Sequence, residues 1–453
     1  MNIISNKEIL SNFRNIKEVI IEGWVKSNRD NGNFGFIAFS DGSSCQNIQL
    51  VYKKEITIGF EQVKKVSTGS AIHAKGKILL TPNAKQPFEI LLSECLVLKQ
   101  ADDTYPLQKK RHTVEYLREI AHLRASTNLL GNVMRVRSKL FKLLNDYFFD
   151  NDFIWVTTPV LTSNDAEGAG ESFYLAKVDN KEFFNLKTTL SVTGQLHGEA
   201  YALTFKKIFT FGPQFRAEKS HTSRHAAEFW MLEPEISFLD INGLMDLMED
   251  MLKKVTSKYI KTCAEEINFF NEFVEKDIKQ RLDKIINEKF ERLSYSDAIE
   301  ILINAKEENK IKFENNNIKW GMDLESEHER YICEQHFNKP TFVFNYPSAL
   351  KAFYMKENSD NKTVAGVDLL VPSVGELCGG SEREADYQTI FKKASNTNIN
   401  IEELQWYLDL RKYGYYKSSG FGLGFERLIM FLTGVNNIRD TIPFPRTHGN
   451  IKF

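Results

Sequence analysis

The fold of this chain is decided by residues 209–238, which read FTFGPQFRAEKSHTSRHAAEFWMLEPEISF. Apolar and polar residues alternate on both sides of a charged loop, and this period of two is typical of strands. The segments on either side of the loop therefore predict a hairpin whose apolar face covers a core. The opposite face would carry Arg216, Glu218, Phe229, Met231, Glu233 and Glu235.

The charges on that face suit an anionic ligand. An arginine offers a planar fork of donors that matches phosphate or carboxylate oxygens, whereas carboxylates accept from amines. The loop adds Lys219, Arg224 and His225 at the same end of the hairpin. A cationic tip above a mixed-charge floor is suited to a nucleoside triphosphate. The alternative is a solvated face with surface ion pairs, which is the better interpretation for any one of these charges taken singly.

The same stretch, extended by one residue to 208–238, resembles the second signature motif of class II aminoacyl-tRNA synthetases. The resemblance is carried by FRAE, SRHAAEF and WMLEPE. Residues 133–160 and 419–434 resemble the first and third motifs of that family. The resemblance is to the aspartyl, asparaginyl and lysyl subgroup, and within it to the asparaginyl-tRNA synthetases. It implies an α+β fold in which an N-terminal OB-fold β-barrel is followed by a class II core, an antiparallel β-sheet flanked by helices.

The composition describes a chain of 453 residues with a formal net charge of −1, long enough for two or three domains. Neutrality excludes a globally basic surface, so any nucleic-acid contact must be local. Five scattered cysteines form no C-x-x-C pair, which argues against zinc and disulfides and favours a cytoplasmic protein with reduced thiols. A signal peptide and a long apolar span are both lacking, so no membrane partner is expected.

Residues 1–102 are predicted to form a small β domain. Its five strand-like segments are 19–25, 35–39, 47–52, 70–76 and 88–92, punctuated by Gly, Asn and Asp. The strand count fits any small barrel as well as an OB-fold. The segment GWVKSNRDNGNFGFIAFSDG is similar to the anticodon-binding barrel of the subgroup. That similarity implies that Phe36 stacks on an anticodon base while Arg29 and Gln49 bind base edges; the alternative is that Phe36 belongs to the core.

Residues 103–130 are predicted to be a hinge that leads into a catalytic domain at 131–453. EYLREIAHLR resembles the segment that joins the two domains in the family. From Thr104 to Lys142 there are nine Lys or Arg against two Glu, a stretch that either follows a phosphate backbone or is simply solvated. The helix and strand of the first motif imply a homodimer. The charged segments within 240–320 are interpreted as solvated helices without chemistry.

The amino-acid pocket is predicted from the segment LSVTGQLHGE at 190–199. Its resemblance to the subgroup's amino-acid-binding segment implies that Gln195 contacts the α-carboxylate or α-amino group, with Ser191 and Glu167 nearby. Aspartate enzymes carry a lysine three residues after this glutamine, where this chain has Gly198. The missing cation favours a neutral amide, asparagine, over aspartate.

Two further residues complete the predicted pocket. Arg383 corresponds to the arginine that grips the substrate side-chain oxygen in both the aspartate and the asparagine enzymes, so it does not discriminate between them. Glu233 is predicted to contact either the amide or the α-ammonium of asparagine. Selectivity would follow because an amide both donates and accepts whereas a carboxylate only accepts.

The remaining assignments concern ATP, the second substrate. The resemblance implies that Arg216 holds the α-phosphate and that Arg427 and His225 hold the γ-phosphate end. Phe229 would stack on adenine and Glu218 would accept from its amino group. Gly424 leaves room for a flat base to approach the backbone. Arg216 and Arg427 are thus the predicted catalytic residues.

Asp368 and Glu376 are predicted to share a Mg²⁺ ion, because hard carboxylate oxygens bridge this metal to phosphates. Two carboxylates at this spacing are common by chance, and the matching family positions strengthen the prediction. The predicted reaction activates L-asparagine with ATP and transfers it to tRNA(Asn). The alternatives are an aspartyl enzyme, a nucleic-acid-binding paralogue without catalysis, and an ammonia-using asparagine synthetase.

Overall fold

A computed structural model describes residues 2–84, 86–163, 172–220, 222–308, 310–397 and 399–453. The chain divides into two compact units, Met1–Asn132 and Val133–Phe453. Each unit has its own hydrophobic core. Glu167, which the family resemblance associates with the amino-acid pocket, lies outside the described residues.

The first unit is built on five strands, β1 (Glu18–Asp30), β2 (Phe34–Ser40), β3 (Ile48–Lys53), β4 (Ala71–Leu80) and β5 (Phe88–Lys99). They close into a barrel in the order β1-β2-β3-β5-β4. Neighbouring strands run antiparallel except β3 and β5, which pair in parallel. The predicted five-stranded barrel is confirmed, and it is of the OB type.

Alternate residues of the strands fill the barrel interior, as the period of two requires. Val19, Ile21 and Val25 of β1 are buried together with Phe39 and Tyr52 from β2 and β3. The strands β1 and β4 are longer than their local patterns predicted. Irregular pairing that follows Val25 in β1 and Lys75 in β4 lets the strands bend and continue around the barrel.

Short helices accompany the barrel, namely α1 (Asn6–Asn12), α2 (Phe60–Val63), α3 (Val114–Glu119) and α4 (Ala121–Arg124). The hydroxyl of Ser5 caps α1 by accepting from the backbone N–H of Glu8, and Thr113 caps α3 by accepting from that of Tyr116. The longer helix α5 (Asn128–Asp150) contains the boundary between the two units.

The strands of the second unit are β6 (Ile154–Trp155), β7 (Leu161–Thr162), β8 (Thr189–Leu190), β9 (Lys207–Phe215), β10 (Glu228–Ser237), β11 (Glu291–Ser294), β12 (Thr341–Pro347), β13 (Thr363–Val371), β14 (Gly375–Glu382) and β15 (Ser418–Gly424). Eight of them form one sheet in the order β11-β12-β13-β14-β15-β10-β9-β6. The six central strands are antiparallel, as predicted.

Both edges of this sheet depart from the predicted antiparallel pattern. β6 pairs with β9 in parallel, and β11 pairs with β12 in parallel. A parallel pair needs a long crossover connection rather than a tight turn. The chain supplies such connections at residues 156–206 and 295–340, and each of them contains helices.

The helices of the second unit are α6 (Gln195–Phe205), α7 (Ile241–Thr262), α8 (Ala264–Phe273), α9 (Ile278–Asn287), α10 (Tyr295–Glu307), α11 (Ser326–Arg330), α12 (Tyr387–Ser395), α13 (Ile401–Asp409) and α14 (Phe425–Thr433). A π-helical turn, Tyr331–His336, follows α11 directly. None of the helices in the described part of the chain is long and apolar enough to cross a membrane.

The interpretation of 240–320 as solvated helices is wrong for one face of each of the helices α7, α8, α9 and α10, which is buried. One face of α7 carries Leu244, Met248 and Leu252, all at most 1% exposed. Met248 packs so closely on β14 that its methyl group lies 2.9 Å from the position a Cβ at Gly380 would take. The polar residues of this region lie on the opposite helix faces, and their abundance hid the apolar stripe.

Candidate active site

The hairpin of β9 and β10 forms one wall of a cavity of about 250 Å³ in the second unit. Glu233 lies opposite Thr210 in the antiparallel register. Phe229 and Glu233 face the cavity from β10, and Arg216 lines it just beyond the end of β9. The other walls include Thr193, Gln195, Lys351, Tyr354, Asp368, Glu376, Gly379, Arg383, Gly424 and Arg427.

Arg216 lines the cavity beside Phe229. Its guanidinium carbon is 5.4 Å from the ring centroid of Phe229, within the range of a cation–π contact. Burial raises the pKa of Glu233, and the positive charge of Arg216 is one of the groups that oppose this rise. Arg216 also acts on Glu376, where it helps to lower the pKa. The residue predicted to hold a phosphate thus faces acids from two different strands.

His225 and Glu218 lie together on the loop side of the cavity. The imidazole Nε2 is 3.5 Å from Oε2 of Glu218, and the imidazole Nδ1 is 3.1 Å from the hydroxyl of Ser220. Burial lowers the pKa of His225, and the nearby cations Arg427 and Arg224 lower it further, against the opposing effect of Glu218. The imidazole is therefore neutral at pH 7 in the absence of an anion.

Arg427 lies in the first turn of α14, which follows β15 directly. Its Nη1 donates to the backbone carbonyl of Glu376 at 2.9 Å and to the carboxylate Oε2 of the same residue at 3.1 Å. Burial raises the pKa of Glu376, but Arg427 and Lys351 outweigh it and hold the pKa below its ordinary value. Glu376 is therefore a charged acceptor in the cavity.

Asp368 is paired with Lys351, a residue that sequence analysis missed. The Nζ of Lys351 donates to Oδ2 of Asp368 at 2.6 Å and lies 3.8 Å from the ring centroid of Tyr346. Burial raises the pKa of Asp368, and Lys351 opposes this rise. The available signal was a lone cation within the apolar run Ala349-Leu-Lys-Ala-Phe353. An isolated charge in such a run needs a buried partner.

One oxygen of each predicted metal ligand lies near the same point beside Gly379. A Cβ at Gly379 would lie 3.3 Å from Oδ1 of Asp368 and 2.9 Å from Oε1 of Glu376. The other oxygens are held by Lys351 and Arg427. Among the described residues, no group of three or more His, Cys, Asp or Glu side chains could hold a metal ion. Two convergent carboxylate oxygens fit a Mg²⁺ that takes its other ligands from phosphates and water.

Gln195 begins α6 and presents an unsatisfied donor. The residue is 8% exposed, and its side-chain Nε2 is buried without a hydrogen-bond partner among the described residues. Its backbone N–H donates to the hydroxyl of Thr193 at 3.1 Å. Ser191, in contrast, does not line the cavity, and its hydroxyl donates to the Thr193 carbonyl at 2.7 Å. Thr193, two residues further along the chain, does line the cavity.

Glu233 is 3% exposed and is surrounded by donors. Its Oε2 accepts from the Gly194 backbone N–H at 3.0 Å, from Thr210 Oγ1 at 3.1 Å and from Gln214 Nε2 at 3.2 Å. Its Oε1 accepts from the hydroxyl of Thr193. A carboxylate has about four lone-pair sites. The protein therefore holds Glu233 in one orientation, and the residue acts on a ligand mainly through its charge.

Arg383 is held by a buried acid that sequence analysis left without a role. Its Nε donates to Oε2 of Glu235 at 3.2 Å, and its Nη2 donates to the other oxygen of that carboxylate at 2.5 Å. Its Nη1 donates to the hydroxyl of Ser381 at 2.7 Å. Described residues thus accept from three of the five guanidinium N–H groups, and two of these groups are left for a ligand.

The structure also shows where a side chain at Gly198 would point. A Cβ there would lie 3.2 Å from Ile208 and 3.7 Å from the Cγ of Glu235. Gly198 itself does not line the cavity. A side chain at this position would therefore start beside Ile208 and near Glu235, the acid that holds Arg383. Because position 198 is a glycine, it supplies no second cation near the Arg383–Glu235 pair.

A buried ion pair that sequence analysis missed joins Glu199 and Arg411. Glu199 of α6 is fully buried and accepts from Arg411 Nη2 at 2.5 Å, from Tyr407 at 2.6 Å and from Tyr415 at 2.7 Å. Arg411 also donates from Nε to the carbonyl of Glu384 at 3.0 Å. Arg411 therefore joins the helix that starts at Gln195 to the backbone next to Arg383.

The three predicted anticodon residues lie on one outward face of the barrel. Arg29 is the cross-strand partner of Phe36, and its guanidinium carbon is 4.9 Å from the Phe36 ring centroid. Gln49 pairs with Ala38, two residues further along the same face, and donates to Glu89 Oε2 at 3.2 Å. Phe36 is only partly buried, and Phe34 lies against its edge with a ring-centroid distance of 5.7 Å. The face thus combines aromatic rings, a cation and amide donors.

Comparison with known protein families matches both parts of the chain. Residues 19–98 match the OB-fold nucleic acid binding domain. Residues 113–448 match the tRNA synthetases class II (D, K and N). The second match covers more than half of the chain and includes the described residues that line the cavity.

Individual relatives match over the full length. The asparagine–tRNA ligase of Malacoplasma penetrans is 49% identical over 453 residues, and that of Mycoplasmoides gallisepticum is 50% identical over 457 residues; each match covers 100% of both chains. The asparaginyl-tRNA synthetase of Pyrococcus horikoshii, solved in complex with asparaginyl-adenylate, superposes with a TM-score of 0.89 at 29% identity, covering 100% of this chain and 99% of that one. By sequence and by structure, this chain belongs to the class II tRNA synthetases of the D, K and N group.

Proposed function

We propose that this chain activates L-asparagine with ATP and transfers the asparaginyl group to the 3′ end of tRNA(Asn); its full-length relatives carry the name asparagine–tRNA ligase. The observation that carries the proposal is the content of one cavity, which holds nitrogen donors suited to a triphosphate beside buried donors suited to an amino acid. Arg216, His225 and Arg427 belong to the first group, and Gln195 and Arg383 belong to the second.

The first step joins the two substrates. The asparagine carboxylate attacks the α-phosphorus of ATP, and the bond to the β-phosphate oxygen breaks, giving asparaginyl-adenylate and pyrophosphate. No nucleophile from the protein takes part, so catalysis rests on positioning and on stabilisation of the developing charge. Arg216 holds the α-phosphate, because its fork can contact two phosphate oxygens at once. Arg427 and His225 bind the γ-phosphate end.

The adenine base occupies the space beside the β9–β10 hairpin. Phe229 stacks on its ring, and Glu218 accepts from its amino group. Gly424 supports this arrangement because it leaves the floor of the cavity open. Mg²⁺ held by Asp368 and Glu376 would neutralise phosphate charge when bound.

The amino acid is held at the other end of the cavity. The buried Nε2 of Gln195 donates to the α-carboxylate, and Glu233 attracts the α-ammonium or faces the side-chain amide. Arg383 donates to the side-chain oxygen through its remaining N–H groups. Ser191 supports this wall through its bond to Thr193, and Glu167 remains a predicted contact on the amino-acid side.

The second step transfers the acyl group. A ribose hydroxyl at the 3′ end of the tRNA attacks the acyl carbon, the bond to AMP breaks, and AMP leaves. The barrel, as residues 1–102, recognises the anticodon through stacking on Phe36 and hydrogen bonds from Arg29 and Gln49. Residues 103–130 serve as the hinge to the catalytic domain at 131–453.

We also propose a homodimer that acts in the cytoplasm. β6 is the edge strand of the large sheet, and its residues Ile154 and Trp155 are 43% and 49% exposed. Phe149 at the end of α5 is 53% exposed. An apolar edge strand of this kind favours pairing with another chain.

The test is ATP–pyrophosphate exchange by the full chain with asparagine and aspartate side by side. The expected result is exchange that depends on asparagine, with aspartate poorer by about 10⁴–10⁵, the range open to a buried polar mismatch. Comparable exchange with both amino acids would overturn the asparagine assignment. Failure to charge tRNA(Asn) despite normal exchange would overturn the transfer step.

A further inference from the structure

A buried acid on α11, Glu329, lies just behind the phosphate side of the cavity. It belongs to none of the three motifs and does not itself line the cavity. Only 12% of its side chain is exposed. Burial of a carboxylate is costly unless donors compensate it, so the position of Glu329 needs an explanation.

One oxygen of Glu329 holds two parts of the site together. Its Oε2 accepts from Nη1 of Arg224 at 3.2 Å and from the backbone N–H of Glu376 at 3.2 Å. Arg224 lies on the loop between β9 and β10, whereas Glu376 lies on β14. Both residues line the cavity. Glu329 therefore joins the loop that carries the cations to the strand that carries the acids.

Arg224 is held by further contacts from the same region. Its Nη2 donates to the hydroxyl of Ser326 in the first turn of α11, and its Nη1 donates to the carbonyl of Val374. Together with Glu329, these acceptors fix the orientation of the guanidinium plane. A planar fork held at several points loses little further freedom when it contacts a ligand.

The packing around the Arg224–Glu329 contact leaves no room for a side chain at position 375, which is Gly375. This glycine has a φ of +81°, a conformation that side chains rarely adopt. A Cβ at Gly375 would collide with both Nη1 of Arg224 and Oε2 of Glu329. The backbone of Gly375, the residue immediately before Glu376, therefore packs directly against the Arg224–Glu329 ion pair.

We propose that Glu329 is a positioning residue for the triphosphate of ATP, because it holds Arg224 and the backbone of Glu376 in the orientation in which both face the cavity. Arg224 then contributes a pre-oriented positive charge for the β- or γ-phosphate. The inference rests on the proposed function for the identity of the nucleotide. The opposite possibility is that Glu329 holds Arg224 away from ATP, and the two possibilities predict changes of opposite sign.

The test compares Glu329→Gln with the matched control Glu327→Gln in the full chain. Glu327 lies on the same helix but accepts from the backbone N–H groups of Glu314 and Asn315, away from Arg224. ATP binding is measured by calorimetry without amino acid, and KM values for ATP and asparagine are measured by pyrophosphate exchange. For Glu329→Gln we expect ATP binding weaker by roughly 10- to 100-fold, as for loss of a charge-assisted hydrogen bond. The KM for asparagine and all values for Glu327→Gln should stay within about twofold.

A double-variant comparison separates positioning from a general loss of structure. If Glu329 acts through Arg224, Arg224→Gln added to Glu329→Gln should weaken ATP binding much less than it does alone. If Glu329→Gln does not fold, Ser326→Ala removes one contact of Arg224 from an exposed position and should weaken ATP binding by a few fold.

Three results would overturn the proposal. They are unchanged ATP binding by Glu329→Gln, tighter ATP binding by Glu329→Gln, and additive effects of Glu329→Gln and Arg224→Gln on ATP binding. The direct binding measurement does not depend on the amino acid. A wild-type protein that binds ATP but gives no asparagine-dependent exchange would therefore contradict the proposed function alone.

Discussion

The substitution Glu233→Gln tests the amino-acid pocket most directly, because it removes a charge while nearly preserving shape. Three donors converge on one oxygen of Glu233, from Gly194, Thr210 and Gln214, and a glutamine carbonyl at that place would keep all three. The fourth donor is the hydroxyl of Thr193, which can rotate to accept from the new amide nitrogen. The variant should therefore fold with the pocket intact.

The expected magnitudes follow from this geometry. Each retained bond loses about 1 kcal/mol when its acceptor becomes neutral. Relief of the burial cost that raises the pKa of Glu233 offsets much of this loss. We therefore expect the free energy of unfolding to fall by less than about 2 kcal/mol. In contrast, a substrate ammonium left unpaired in a buried site costs about 3–5 kcal/mol, which corresponds to a loss of about 10²–10⁴ in kcat/KM.

The measurement is ATP–pyrophosphate exchange at saturating ATP with asparagine and with aspartate, beside urea unfolding. The matched control is Glu266→Gln, a buried carboxylate that accepts from Lys139 at 2.8 Å and lies outside the cavity. This control should change stability and leave exchange within about twofold. Equal loss with both amino acids would assign Glu233 to the α-ammonium, and loss with asparagine alone would assign it to the amide. Normal exchange by a folded Glu233→Gln would refute a direct role for its charge.

Three further predictions concern other parts of the molecule. Arg216→Lys keeps a positive charge but loses the fork, so exchange should fall by roughly 10²–10³; near-normal adenylate formation would show that the fork is not needed. Phe36→Ala should weaken tRNA charging by about 1–3 kcal/mol for one lost base stack and leave tRNA-free exchange unchanged, whereas equal loss in both assays would make Phe36 a core residue. Burial lowers the pKa of His225, so the unfolded chain takes up its proton first as pH falls below about 6.5. Thermal unfolding of the ligand-free protein should therefore show stability declining from about pH 6.5 downward, and His225→Gln should reduce that decline. The same fall in stability with pH in the wild type and in His225→Gln would contradict this prediction.

The sequence predicted best where the evidence was local. Alternation along 209–238 indicated that Arg216 and Glu233 share a face, and both line the cavity. The family resemblance, rather than alternation, grouped Arg29 and Phe36, and the two residues are cross-strand partners on the barrel. In each case the period of two dictates the face of a side chain before any tertiary contact forms.

Local patterns failed where a partner came from a distant part of the chain. Lys351, which follows the short 3-10 turn Ser348–Leu350, meets Asp368 on β13, and Glu199 meets Arg411 from 212 residues away. Neither pair has a characteristic spacing. The parallel edges of the large sheet were missed for a related reason, since strand direction depends on the route of the connection rather than on the strand's own residues.

By itself, the sequence determined the family, the barrel followed by a mostly antiparallel core, and the faces that carry the candidate ligand contacts, because these depend on residue identity and on short-range periodicity. Only the tertiary structure decided how those contacts are held. It provided Glu235 behind Arg383, four donors around Glu233, and Glu329 between Arg224 and Glu376. The physical reason is that a buried charge is stable only with compensating partners, and folding alone determines which distant residues supply them.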